Sequence, residues 1–459
     1  MLAFYYFNIS TLTHLLTNIA NVISSIIITI KNTMYPNLYY VFKDFFGVDW
    51  SGLKLVNSFG FFVAVAFMAA AYAVTIELKR KQQQGLLTYT EQLIMVGAKA
   101  SFGDLLTNFL LGFVFGFKII GAFIISDALN DPQSFILSSQ GSLPIGILVG
   151  FIFGGLKWWE KQKEKLAKPE QRTIRIWPHD RVGDLVIFAA VFGFSGAKIF
   201  HNLENWNDFI KDPIGALISF SGLTFYGGLI CAGAAIILYA RRHKIGTLYL
   251  CDAFAPALML AYAIGRMGCQ VSGDGDWGIM NSAFMSTPTG QVIGSTPQKF
   301  HEALVVNQDF YINQFKSLDA AHHLSVQPFW HLPNWLFAYN YPHNVINEGI
   351  KIQGCTGQYC SQLPIPVFPT AFYEIIVCGI LFIVLWISRK RLKLAGQMFG
   401  FYLILNGLER FMIEKIRVNT KYEALPFQPT QAELISLVLV ICGAILFWTA
   451  SKKPTKVEL

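Results

Sequence analysis

Charged residues are scarce in this chain. Asp, Glu, Lys and Arg make up 14% of its 459 residues, against roughly a quarter in soluble proteins. So little charge cannot clothe a core of this size in a solvated skin, which excludes an ordinary soluble protein. Cysteines number seven in the whole length, too sparse for a disulfide-dense secreted scaffold. The first 33 residues lack a basic start followed by an apolar run and a small-residue cleavage site, so no cleavable signal peptide is evident. What is abundant is apolar: 53% hydrophobic and 15% aromatic residues, with a mean hydropathy of +0.44. That content also excludes a disordered chain, and a polytopic membrane protein remains.

Runs long enough to cross about 30 Å of hydrocarbon recur near residues 57–78, 102–126, 143–158, 182–202, 222–240, 248–266, 370–388, 396–414 and 433–450. Lipid offers backbone groups no outside partner, and continuous runs of this length fit helices better than barrel strands. The expected fold is therefore an all-α polytopic membrane protein of about nine transmembrane helices. Five basic segments (ELKRKQQQ, KWWEKQKEKLAKPEQR, ARRHK, SRKRLK and SKKPTK) hold more than half of the 36 Lys and Arg residues. Positive charge marks the cytoplasmic side, so the N-terminus is expected outside and the C-terminus inside. The net charge of +8 thus reads as a topology signal and points to no nucleic-acid partner.

The chain divides into an N-terminal segment (1–56), a first membrane core (57–269), an outer stretch (270–369) and a second membrane core (370–459). Within the first core, Gly103, Asp104, Leu105, Gly116, Lys118 and Ile119 recur 80 residues later as Gly183, Asp184, Leu185, Gly196, Lys198 and Ile199. Both copies run in the same direction, so the repeat is parallel, and a helix pair at 102–158 reads as duplicated for packing. The outer stretch is polar, rich in aromatics and prolines, and long enough to fold over the membrane face. It contains Cys355 and Cys360, which a periplasmic location would allow to pair.

Four segments place polar groups at the outer ends of spans, where charge is costly and usually functional. Arg266 stands in AYAIGRMGCQVSGDGDWG, and Arg410 in NGLERFMIEKIR with Glu414 four residues on, sharing a helical face. Tyr373 and Glu374 open the span after the outer stretch, and Tyr226 sits beside Gly227 and Gly228 in GLTFYGGLI. All lie at one depth and can converge. Two arginines at headgroup depth suit a phosphate, which guanidinium binds in bidentate fashion. The residues themselves therefore indicate an anionic-phospholipid site facing the outer leaflet.

At these segments the chain resembles the prolipoprotein diacylglyceryl transferase family. LKLVNSFGFFVAVAF, GDLVIFAAVFGFSGAKIFHNLENW, SGLTFYGGLICAGAAIILYARRHKIG, YAIGRMGCQVSGDGDWG, FPTAFYEIIVCGILFIVLWISRKR and GQMFGFYLILNGLERFMIEKIR occur in the family's order. The family has seven spans, and removing the pair at 102–126 and 143–158 leaves seven here. The resemblance implies transfer of diacylglyceryl from phosphatidylglycerol to the thiol of a prolipoprotein lipobox cysteine in the bacterial cytoplasmic membrane, the first step of lipoprotein maturation, with no metal or organic cofactor. It assigns Arg266 to the headgroup, with Gly265, Gly227, Gly278, Tyr373 and Glu374 around the lipid. Arg410 becomes the second cation, poised by Glu414, and Tyr226 orients substrate.

The departures fall behind these groups. Some members have His at the position of Tyr226, Phe59 stands where Tyr is frequent, and Cys269 and Asp274 replace Asn and Glu. Asp274 and Asp276 either hold their turn or neutralise Arg266, and turn stabilisation is the expected role. A secondary transporter fits poorly, because the repeat is parallel and the charges sit at one face instead of the midplane. A lipid- or lipoprotein-binding homologue without catalysis is countered by Arg266, Arg410 and Glu414 occurring together. Translation is expected to start at Met34, since His14, Asn18 and Asn21 dilute the only apolar run before it. N-terminal sequencing of the purified protein should read from Met34; a sequence beginning at Met1 would restore a tenth span.

Overall fold

The computed structural model describes residues 34–452 apart from 126–127, 130–131, 220–221, 223, 316, 319–320 and 419–427. The expected start site concerns residues 1–33, which lie outside the described residues. A short helix α1 (Leu38–Phe46) precedes α2 (Ser58–Gln83), and β1 (Thr90–Val96) leads into α3 (Phe102–Val114). The chain continues helically from α3 to Phe123. Then come α4 (Pro132–Leu137), α5 (Leu143–Lys163), β2 (Glu170–Ile176), α6 (Val182–Glu204), the short α7 (Trp206–Lys211) and α8 (Pro213–Ile218), α9 (Phe225–Arg242) and α10 (Thr247–Ser272). Beyond a segment holding α11 (Pro297–Val306) and α12 (Gln308–Phe315) lie α13 (Thr370–Ser388), α14 (Gln397–Glu414) and α15 (Gln431–Lys452).

Seven of the nine expected spans are helices long and apolar enough to cross a membrane: α2, α3 with its continuation, α5, α6, α10, α13 and α15. The other two, α9 and α14, are helices of 18 residues each. They are less apolar for visible reasons. α9 ends on Arg241 and Arg242, and α14 carries Glu409, Arg410 and Glu414.

α10 is the central helix, packing on α2, α13 and α14. Its Ala253, Ala255 and Ala257 are fully buried, and small residues are what allow helices to approach on several sides without a hydrophobic driving force from water. At one end of the bundle, buried charges clasp these helices together. Glu77 on α2 meets Arg80 at 2.5 Å and Arg389, just past α13, at 3.1 Å. Lys81 lies 3.9 Å from both Glu77 and Asp252 of α10. Asp252 in turn accepts the backbone N–H groups of Gly396 and Phe399 at the start of α14, each at 2.9 Å.

The expected all-α description needs correction outside the long helices. β1 and β2 form an antiparallel ribbon from Thr90↔Ile176 to Val96↔Glu170. The cause is geometric: α3 and α5 run antiparallel, so the segments entering and leaving them lie side by side and can satisfy each other's backbone groups. Three shorter strand pairs occur between Met280 and Gln362. The stretch from Trp277 to Val367 has an apolar cluster, including Trp277, Met280, Phe300, Tyr311, Tyr339, Tyr341, Ile365 and Val367, with Met34 packed into it. Cys355 and Cys360 are joined by a disulfide.

The 80-residue repeat becomes a repeated helical hairpin. α3 packs on α5 as α6 packs on α9. A Cβ on Gly116 would lie 2.7 Å from the Ile145 carbonyl oxygen, and one on Gly196 would lie 2.6 Å from that of Gly227. Lys118 reaches into the connecting segment, donating to the carbonyls of Phe135 at 3.1 Å and Gln140 at 2.7 Å, and Lys198 donates to Ser219 at 2.8 Å. Each hairpin packs mainly on itself. The first meets the rest of the chain at the β1–β2 ribbon and through Phe123, stacked on Trp50 at 6.0 Å.

The same contacts predict an asymmetry between two glycines. Gly196→Val forces α6 away from α9 and should destabilise the protein by about 1–3 kcal/mol. Gly155→Val, with nothing within 4 Å of the added Cβ, should change it by less than about 0.5 kcal/mol. Unfolding midpoints of the two variants in detergent check this.

Candidate functional site

The opposite end of α10 builds the site. The helix stops at Ser272, and Gly273 (φ 63°) and Gly275 (φ 98°) turn the chain through left-handed conformations that favour glycine. The turn is laid across the start of α13 and the end of α14. Gly278 donates its N–H to the Phe368 carbonyl at 2.9 Å, and Ile279 to that of Ile416 at 2.9 Å. A Cβ at Gly278 would lie 2.7 Å from both the Phe368 and the Ile416 carbonyl oxygens. Only a residue without a side chain lets these three backbones meet, and their meeting sets the turn beside Arg417.

Glu374, near the start of α13, is the hub, and its side chain is wholly buried. Its carboxylate lies 3.0 Å from Arg266 Nε and 3.5 Å from both Arg410 Nη1 and Arg417 Nη1. It also accepts the Tyr262 hydroxyl at 2.6 Å. Asp276 bridges Arg266 and Arg417, one carboxylate oxygen toward each. Arg410 Nη2 pairs with Glu414 at 3.1 Å, and Glu414 accepts the Thr430 hydroxyl at 2.8 Å. Three guanidinium groups are thus matched by three carboxylates. Pairing of this kind is what makes charge tolerable among apolar helices, because each group alone would carry a desolvation penalty of several kcal/mol.

The remaining expected residues surround this cluster. Tyr226, at the start of α9, places its hydroxyl against Arg410 and near Glu414. Arg266 Nη1 lies 3.7 Å from Cys269 Sγ, and Asp274 faces Cys269 and Arg266. Burial pushes the Asp274 carboxyl above its ordinary value. Phe59 backs Gly268, two residues from Arg266. Gly265 has open space at the position of a Cβ, whereas Gly227 is pressed against Phe200 and Gly196 and serves the α6–α9 contact. Tyr373 turns the other way and donates its hydroxyl to the Leu336 carbonyl in the segment above the helices.

Turn stabilisation describes Asp274, which accepts the Asp276 N–H at 3.3 Å. For Asp276 that expectation is corrected: its carboxylate neutralises two arginines, because the glycine turn carries it back over α14. Sequence reasoning also passed over Arg417, Tyr262, Thr430 and Glu409. Arg417 carried a signal, standing three residues after Glu414 and seven after Arg410, the spacing of one helical face, although α14 itself ends at Glu414. Glu409 is buried, and neither carboxylate oxygen has a hydrogen-bond partner among the described residues.

Fold and site together define a polytopic membrane protein with a buried arginine–carboxylate cluster at one end of its helices. Residues 142–449 match the profile of a family described as prolipoprotein diacylglyceryl transferase. The chain belongs to the prolipoprotein diacylglyceryl transferase family and is a transferase. The match begins at the residue before α5, so α2 and α3 lie outside it. Proteins called phosphatidylglycerol–prolipoprotein diacylglyceryl transferase are similar over most of their own length. That of Xylella fastidiosa (strain 9a5c) is 23% identical over 292 residues, covering 60% of this chain and 79% of the relative. That of Finegoldia magna is 22% identical over 307 residues, covering 66% and 87%. That of Clostridium novyi is 28% identical over 269 residues, covering 58% and 78%.

The hub predicts its own mutational signature. Glu374→Ala strips three arginines of their shared counter-charge and should cost about 3–5 kcal/mol, as for other buried pairs broken on one side. Glu374→Gln, which keeps an acceptor for Tyr262, should cost less. Denaturation of the detergent-solubilised variants measures both.

Proposed function

We propose that this protein transfers the diacylglyceryl group of phosphatidylglycerol to the lipobox cysteine of prolipoproteins, forming a thioether and releasing glycerol phosphate. The observation that carries the reading is the convergence of Arg266, Arg410 and Arg417 on one buried carboxylate hub. The names of the relatives supply the substrates. In this reading the chain crosses the bacterial cytoplasmic membrane nine times, N-terminus outside and C-terminus inside, with the basic clasp end cytoplasmic. The site then opens to the outer leaflet beneath residues 270–369, which form a periplasmic cover.

The chemistry suits the groups present. The cysteine sulfur bonds to the terminal glyceryl carbon as that carbon's bond to the phosphate oxygen breaks, and the electron pair leaves with glycerol phosphate. The thiol proton ends on the phosphate or in water, so atoms and charge balance. Negative charge grows on the leaving phosphate, and fixed cations in a dry site favour that state over the resting ester. Arg266 holds the headgroup, and Arg410 stabilises the leaving group. Glu414, held by both Arg410 and Thr430, poises Arg410 and is not available as the thiol base. Tyr226 orients substrate by hydrogen bonding, since a phenol is a poor resting base at pH 7. Lipid and signal peptide enter sideways, past the α6–α9 hairpin, which packs on itself more than on α10. The displacement itself calls for no metal or organic cofactor.

Transfer from labelled phosphatidylglycerol to a lipobox peptide by the purified protein tests this. Wild type should form thioether, and Arg266→Ala and Arg410→Ala should each lower kcat by about 10²-fold or more, the usual cost of removing one charge-stabilising donor. Undiminished product in a variant removes that arginine from its role. No product from folded wild type that still binds the lipid would favour a binding homologue without catalysis.

A further inference from the structure

The arginines assigned to a phosphate are already occupied. Arg266, Arg410 and Arg417 face Asp276, Glu374 and Glu414, three cations against three anions. A phosphodiester entering this paired set, which Asp274 also flanks at Arg266, would add a negative charge beside carboxylates in a poorly solvated place, where like charges repel strongly. One carboxylate has to yield, and the three are not equivalent. The side chains of Glu374 and Glu414 are 0% exposed, whereas that of Asp276 is 24% exposed. Glu374 and Glu414 also stand on helices, while Asp276 follows Gly273 and Gly275 in a turn. Its stance imitates a ligand: a single negative charge with two oxygens, each directed at a different arginine, as the two free oxygens of a phosphodiester would be.

We infer that Asp276 occupies the place of the substrate phosphodiester in the lipid-free protein, and that phosphatidylglycerol binds by displacing it. The inference rests on the phospholipid reading of the site and adds its regulation: the arginines stay neutralised until a lipid phosphate replaces the carboxylate. Arg417 thereby becomes a headgroup ligand alongside Arg266.

The test uses the full chain in neutral-detergent micelles containing phosphatidylglycerol, with diacylglycerol as the phosphate-free control. Asp276→Asn and Asp276→Ser should bind phosphatidylglycerol about tenfold more tightly than wild type, and Arg417→Gln about tenfold more weakly, with diacylglycerol binding unchanged. In wild type, phosphatidylglycerol should speed hydrogen exchange of backbone amides in residues 273–278, because the turn is released. This second measurement stands even where the Asp276 variants fold poorly. Folded variants with unchanged or weaker phosphatidylglycerol binding, or a turn equally protected with and without lipid, overturn the inference. Transfer by wild type with an unreleased turn rejects this inference alone. A released turn with no transfer rejects the transferase reading and leaves the displacement standing.

Discussion

A buried carboxylate has to be answered where it stands, and Glu374 sets that demand for the whole site. Its side chain has no access to solvent, so its charge is tolerable only if cations come to it. They come from two directions: Arg266 along α10, and Arg410 and Arg417 from α14 and the residues after it. Each arginine can reach the hub only if the helices ending there keep their relative height. The clasp at the far end of the bundle holds that height, since Asp252 of α10 accepts the N–H groups that start α14, and Arg389 ties the end of α13 to Glu77. Polar chemistry at one end of the bundle therefore depends on polar pairing at the other, with apolar packing between.

The hairpins obey a different economy. α3 with α5, and α6 with α9, are closely apposed pairs whose connecting segments are held by Lys118 and Lys198. Each satisfies its own packing and asks little of the central helices. The second hairpin carries Tyr226 to Arg410, while Gly265 on α10 faces open space. The first hairpin repeats that construction, but the residue matching Tyr226 by its packing against the preceding helix is Pro144, which has no hydroxyl.

Much of the site was legible because it rests on local rules. Arg410 and Glu414 are four apart on one helix, and their pairing follows from helical geometry alone. Arg266, Tyr226 and Glu374 each stand at the end of an apolar run, where charge is costly and needs a partner. Asp276 was harder to read, because its direction depends on two left-handed glycines and on Gly278 fitting between the Phe368 and Ile416 carbonyls. Tyr262 and Thr430 were invisible for a related reason: their partners, Glu374 and Glu414, lie 112 and 16 residues away. Conversely, Gly227 and Tyr373 looked like site residues by position, yet the packing turns one toward α6 and the other toward Leu336.

By itself the sequence determined that this is a helical membrane protein with arginines at the ends of its spans, because hydropathy, charge clustering and residue spacing are read within single segments of chain. The tertiary structure decided which charges share a partner, that Asp276 stands between two arginines, and that the repeated helices form self-contained hairpins. Those facts arise where distant segments meet, and the energy of a buried charge depends on every group around it, whatever its place along the chain.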